Sequence, residues 1–300
     1  MDRLENLDVP RLLLVGLTLS TLIAVGVLLS TSSTAFGVSN PSWEGTSSLR
    51  EQAEAVDSDP IVVTNTSEYA RVDPSSSVTV VLSPERAYTP SETADVRTFV
   101  RSGGTLVVAE DFGSHTNPLL ASLGVRTRVD GRPLRDERRY YRSPDIVVAP
   151  DVSEHALTSG VTRVTLNHGT ALRPNGSRVL VNSSSFAYLD TNRNGSVDGT
   201  ESIRTYPVVT VETVGSGRIV VVSDPSVFIN AMLDRPGNER FVRSVFSGHE
   251  TVVLDYSHRG DLPPLTAAVV AVQQSDLLRG LVGFAGIGLV ALVHRRSRGN

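Results

Sequence analysis

Between Val78 and Ala109 the chain runs strand, helix, glycine turn, strand, and that order leaves few folds open. Val78 to Leu82 (VTVVL) and Thr105 to Ala109 (TLVVA) are short, unbroken apolar runs, as expected of strands covered on both faces. Pro90 to Arg101 lies between them. It starts with proline, has Ser91 near its N-cap and Glu92 and Asp95 close to the positive helix end, and carries Ala94, Phe99 and Val100 as apolar positions. Gly103-Gly104 stops it. A strand–helix–strand unit of this length closes a parallel pair, so the sequence predicts an α/β fold with a mostly parallel sheet flanked by helices.

The same rhythm extends both ways. Ser47 to Val56 reads as a short helix and Ile61 to Thr64 as a buried strand. Pro118 to Leu123 is a short helix ended by Gly124. The arginine-rich stretch Arg132 to Arg142 reads as a charged, solvated loop. The second half is strand-rich: Val161–Leu166, Val179–Asn182, Phe186–Leu189, then a hairpin through VVTVETVGSGRIVVVS. Asn238 to Phe246 reads as a helix and Val252 to Leu254 as a last strand.

The two ends differ from this pattern. Residues 12–29 (LLLVGLTLSTLIAVGVLL) carry no charge, and residues 277–293 are broken only by Arg279. Each has about the length needed to cross a bilayer. Arg3 and Arg11 precede the first run, and His294, Arg295, Arg296 and Arg298 follow the second. The expectation is therefore a transmembrane helix at each end, contact with membrane lipid, cytoplasmic tails at 1–11 and 294–300, and a domain outside. Residues 30–45 read as a linker, 46–262 as the extracytoplasmic α/β domain and 263–276 as a juxtamembrane segment.

Composition excludes several chemistries. There is no cysteine, so disulfides, thiolate metal sites and a cysteine nucleophile are out. Net charge is -4, which argues against nucleic acid as a partner. All 28 basic residues are arginine, a bias that fits a halophilic source.

Pro90 to Glu110, Gly217 to Pro225, Phe228-Ile229-Asn230 with Asn238 and Phe241, and Asp255-Tyr256-Ser257-His258-Arg259-Gly260 together resemble a prokaryotic family known as domain of unknown function 4350. The resemblance implies a fold similar to class I glutamine amidotransferases. It also implies a membrane-tethered accessory role beside AAA+ chaperone-like or transglutaminase-like proteins. Those amidotransferases place a cysteine after a strand; here Glu110-Asp111-Phe112-Gly113-Ser114-His115 follows TLVVA, so their reaction is excluded.

The sharpest chemical pattern is a twelve-residue calcium loop. Asp190, Asn192 and Asn194 fall at positions one, three and five, Gly195 at six, Ser196 at seven, Asp198 at nine and Glu201 at twelve. Oxygens at this spacing wrap one hard cation, and glycine permits the sharp turn. Strands on both sides point to a structural ion in a strand–loop–strand setting. With three carboxylates the affinity would be that of extracellular modules, roughly 0.1 to 1 mM. Without metal, the same residues make an ordinary hairpin loop.

Two strand ends carry titratable groups, Asp224 after VVVS, and Asp255 with His258 in DYSHRG. Strand ends are where open α/β sheets gather ligands, and an acid beside histidine tunes the imidazole. Read structurally, Asp224 is a turn residue before Pro225, and Asp255 and His258 belong to a satisfied loop joining the domain to the membrane. Ser114-His115 could enter a hydrolase relay only with a distant histidine, His168 or His258. The sequence thus favours a non-enzymatic scaffold, accessory or sensing domain with envelope or membrane proteins as partners. The alternatives are a degenerate amidotransferase-fold hydrolase acting on envelope material and an auxiliary subunit of an ABC-type exporter.

Overall fold

A computed structural model describes residues 34–260 continuously, together with Leu14, residues 16–18, 20, 21 and 25, and residues 264, 267 and 268. Residues 33–260 form one compact unit. In chain order its strands are β1 (Asp59–Val63), β2 (Ser77–Leu82), β3 (Thr105–Ala109), β4 (Arg128–Val129), β5 (Leu134–Asp136), β6 (Tyr140–Tyr141), β7 (Ser143–Ala149), β8 (Asp151–Val152), β9 (Val164–Thr165), β10 (Leu172–Arg173), β11 (Arg178–Asn182), β12 (Ala187–Leu189), β13 (Pro207–Val214), β14 (Gly217–Val222) and β15 (Thr251–Asp255).

Eight of these make a mixed sheet in the order β1-β15-β2-β3-β14-β13-β11-β8. The pairs from β1 through β14 are parallel, and those beyond β14 are antiparallel. The break in direction is the β13–β14 hairpin, whose short turn cannot make a parallel crossover. Strands β2 and β3 are buried at every residue, which accounts for their unbroken apolar sequence.

Helices cover both faces. Pro90–Arg101 opens with a capping box: Thr89 accepts from the Glu92 amide, and the Glu92 carboxylate accepts from the Thr89 amide. Pro90 at the first helical position loses no internal hydrogen bond. The buried face is Thr93, Val96, Phe99 and Val100; Ala94 points to solvent and Val96 takes its place. That face and Leu119 and Leu120 of helix Thr116–Ser122 pack on Val81, Leu106, Val108, Ile219 and Val253. On the other face, Leu49 of helix Leu49–Glu54 lines one small void with Val80, Leu82 and Leu254. Gln52 there accepts from Arg243 of helix Asn238–Phe246 at 2.8 Å. Fully burying each Leu, Val or Phe contributes roughly 1.5–3 kcal/mol, so this three-layer core dominates stability.

Three expectations change. The stretch Arg132 to Arg142 is not a bare loop: it contains β5 and β6 and leads into β7. Its short strands pair with β12 and β7, which burial alternation in a charged segment conceals. Part of the expected linker is packed: Val38 and Asn40 are buried, and Asn230 binds the carbonyls of Asn40 and Ser42.

The third change concerns the ends. Among the described residues no helix is long and apolar enough to cross a membrane. The longest continuous described helix, Pro90–Arg101, has 12 residues, about 18 Å at 1.5 Å per residue, and is amphipathic. The first apolar run, 12–29, is described only at scattered positions, and 277–293 lies outside the described residues. The expected transmembrane helix at each end, the lipid contact and the membrane location with an extracytoplasmic domain are therefore withdrawn.

Candidate functional site

Each parallel strand ends on the same edge of the sheet, and each of the ends of β15, β3 and β14 presents a buried carboxyl group. Glu110 follows β3 and is fully buried. One of its oxygens accepts from the amides of Asp111 at 3.0 Å and Gly113 at 2.9 Å and from Ser83 Oγ at 3.2 Å; the other accepts from Thr116 Oγ1 at 3.1 Å. Ser83 holds its hydroxyl there from a left-handed conformation, φ 40°. Gly113 is required by this approach, since a Cβ would stand 2.2 Å from a Glu110 oxygen.

Asp224 follows β14 and is also fully buried. It accepts from the amides of Asn167 and Ser226 and so starts the turn Pro225–Phe228. Burial pushes its carboxyl up to about 7; the amide hydrogen bonds oppose this, and the nearby Asp111 adds to it. Asp111 itself is pushed up to about 6, again mainly by burial. His168, on the neighbouring loop, pairs with Asp145 at 3.1 Å.

Asp255 ends β15. It accepts from the Tyr69 hydroxyl and from the Ser257 amide at 2.6 Å. Burial raises its carboxyl and holds the Tyr69 hydroxyl well above the ordinary phenol range. His258 does not bond Asp255. Its Nδ1 meets Ser257 Oγ at 2.7 Å, its Nε2 faces Glu92 at 3.4 Å, and its ring stacks on Tyr88 with centroids 3.5 Å apart. Burial holds the imidazole below its ordinary value. A neutral ring protonated on Nε2 satisfies both partners.

Serine donating to imidazole, and imidazole to a carboxylate, is the polarity of a hydrolase relay. Yet Ser257 is 5% exposed and His258 3%. The neighbouring void beside Asp255, Tyr256 and Arg259 holds only about 10 Å³, too little for a substrate. Strands β2 and β3 also separate Asp255 from Asp224, about 14 Å at three strand spacings. The three sequence candidates Asp224, Asp255 and His258 therefore occupy two separate networks.

The loop from Asp190 to Glu201 follows β12. Asp190, 3% exposed, accepts from the amides of Asn194 at 3.0 Å and Gly195 at 2.8 Å. Asn192 and Asn194 accept from the amides of Asn194 and Ser196. Glu201 returns to the start of the loop and accepts from the Thr191 amide at 2.7 Å. Asp198 accepts from Asn192 Nδ2 at 2.6 Å and from Thr200. Oxygens thus line the loop at the expected positions, with Gly195 at φ 74°. Among the described residues no three His, Asp or Glu side chains converge as a metal site. Binding an ion would require Asp198 and Glu201 to exchange these partners for the ion.

Glu110, Tyr69, Glu92 and Tyr88 were not singled out as site residues by sequence. The one available signal was Glu110, an acid placed directly after a wholly apolar strand. Tyr69, Tyr88 and Glu92 are brought in by separate elements and leave no local pattern.

Fold and site together define a three-layer α/β domain whose strand ends are closed by hydrogen-bonded carboxyl groups. The chain belongs to the family described as Domain of unknown function (DUF4350), whose model matches residues 38–246. No curated protein matches it. Among solved structures, the mmIFT52 N-terminal domain is similar at 16% identity and a TM-score of 0.48, over 61% of this chain and 80% of that one. A cytoplasmic protein from Salmonella typhimurium LT2 is similar at 15% identity and a TM-score of 0.38, over 68% and 86%. A β-galactosidase from Rahnella sp. R3 is similar at 13% identity and a TM-score of 0.36, over 60% of this chain and 23% of the enzyme.

Proposed function

We propose that this domain is a non-enzymatic scaffold or sensing module with a glutamine amidotransferase-like fold. One observation carries the reading. After β3, where the resemblance to amidotransferases would place the nucleophile, Glu110 stands fully buried with both oxygens engaged. A carboxylate so engaged is a strut between the ends of β2 and β3 and the helix Thr116–Ser122, and it is not presented to a substrate. The other acids on this edge are spent in the same way. The work of such a domain is to present a shaped surface to protein partners. An arginine-only basic complement with an acidic surplus fits a halophilic archaeal form of the family.

In this reading the loop 190–201 takes a structural calcium ion through Asp190, Asn192, Asn194, Asp198, Glu201 and the Ser196 carbonyl. The ion would supply charge neutralisation and a cross-link between the ends of a loop that lacks a core of its own.

The test is hydrolysis of small ester and amide substrates by the full chain, beside Ser257→Ala and His258→Gln. Absence of turnover in all three is expected. Turnover by the parent that either substitution abolishes would overturn the scaffold reading in favour of the buried relay.

A further inference from the structure

The opposite edge of the sheet carries a site of contrasting chemistry. At the starts of β11 and β14, and beside the end of β13, lies a cleft of about 530 Å³. That volume is in the range of small-molecule pockets, about 300–1,000 Å³. Arg126, Arg178, Arg218 and His155 line it, against one carboxylate, Glu212.

Glu212 is already neutralised. It pairs with Arg126 Nε at 2.9 Å and accepts from the Arg126 amide at 3.0 Å and from Ser177 Oγ. Those bonds hold its carboxyl below the usual range although burial opposes them. Arg178 donates once, to the Glu154 carbonyl at 2.9 Å. The Arg218 side chain has no hydrogen bond or ion pair among the described residues, although its backbone is fixed in the sheet between β3 and β13. Two guanidiniums are thus left with most of their donors free.

His155 completes the set. Its Nδ1 accepts from the Leu157 amide at 3.2 Å, so in the neutral ring the proton sits on Nε2, a donor. Burial, then Arg178 and Arg218, hold this imidazole below its ordinary value, and all three residues line the same cleft. The cleft is therefore rich in cationic donors, and its one carboxylate is already paired. Guanidinium donors bind a phosphate oxyanion through short, charge-assisted hydrogen bonds that are stronger than neutral ones.

We propose that this cleft binds a phosphate monoester, with Arg178 and Arg218 holding the phosphate oxygens, the His155 imidazole as a further donor and the Arg126–Glu212 pair as a wall. Charge selects the ligand class. Three guanidiniums against one carboxylate leave an excess of two positive charges, which matches the charge of about −2 on a phosphate monoester near neutral pH. A simple carboxylate would leave one cation uncompensated. The cleft also has room beyond the phosphate for the organic part of the ester.

The experiment is isothermal titration of the full chain at low salt with glycerol 3-phosphate and with inorganic phosphate. Saturable binding is expected, weakened at least tenfold by Arg178→Gln and by Arg218→Gln and unchanged by Arg139→Gln on another surface. Tighter binding of the ester identifies an organic phosphate as the ligand; equal binding identifies free phosphate, and either supports the site. Ser216→Asp, in the exposed hairpin turn at the cleft, adds a carboxylate without touching the core and should also weaken binding. No saturable heat with either ligand, or undiminished binding in a folded Ser216→Asp or Arg178→Gln/Arg218→Gln protein, would overturn the proposal.

Discussion

The Tyr69 hydroxyl donates to Asp255 across the buried end of β15, joining the 3-10 turn Thr66–Arg71 to the sheet. Tyr69→Phe keeps the ring and its 5.4 Å contact with Phe99 but leaves a buried carboxyl short of a partner. The expected cost is about 1–3 kcal/mol, read from denaturant unfolding. Tyr69→Phe with Asp255→Asn should cost less than the two single changes added, because both act on one contact. Strict additivity would show that the pair is not coupled.

Calcium should stabilise the parent and not Glu201→Gln. At 100 times its dissociation constant an ion bound only by the folded state adds about 2.7 kcal/mol. For a unit of this size that is a rise of roughly 6 to 10 °C in the melting temperature. Asp190→Asn should lose the rise as well, since its carboxylate sits at the loop base. Equal melting in calcium and in EDTA for the parent would remove calcium from the account of this loop.

The elements that sequence exposed most clearly are those with strong local causes. Pro90–Arg101 has proline and a glycine stop, and its bounds were legible, although its cap is Thr89 and not Ser91. Asn238–Phe246 and β3 were equally plain. Strands β4 to β6 were not, because each has only two or three residues and pairs only with β10, β12 or β7. The strand character of β4 and β5 comes from partners far along the chain, β10 and β12. The candidate site divides in the same way. Asp224, Asp255 and His258 were visible as polar residues at strand ends, but their assignment to separate networks depends on β2 and β3 lying between them. The cleft around Arg178 and Arg218 was invisible, since its charges come from four separate segments.

Stability should fall as pH rises through neutrality, in part because of Asp224. Its carboxyl titrates near 3.8 when exposed and at about 7 in the fold, mainly through burial. Between those values the folded state holds a proton that the unfolded state has lost. The native state then binds more protons, so the contribution is fully present below pH 4 and disappears as pH passes about 7. Asp111, raised to about 6 by burial, acts in the same direction. Asp224→Asn should flatten the decline between pH 4.5 and 7.5, as followed by the urea midpoint. An unchanged slope would mean that Asp224 ionises normally in the fold.

Two glycines separate backbone crowding from backbone conformation. At Gly217 a Cβ would lie 2.1 Å from the Val100 carbonyl oxygen and 2.3 Å from that of Gly104. Both are backbone atoms, one in the last turn of helix Pro90–Arg101 and one just before β3, so neither moves without shifting a whole element. At Gly124 nothing lies within 4 Å, but φ is 81°. Gly124→Ala should therefore cost only the conformational term, about 1 kcal/mol, from forcing a left-handed residue. Gly217→Ala adds overpacking, typically about 1–3 kcal/mol and more where the neighbours are rigid. It should lower the unfolding free energy by clearly more than Gly124→Ala does. If the two cost the same, the start of β14 would have to be free to move away from the helix, and the rigid contact that positions Arg218 at the head of that strand would be absent.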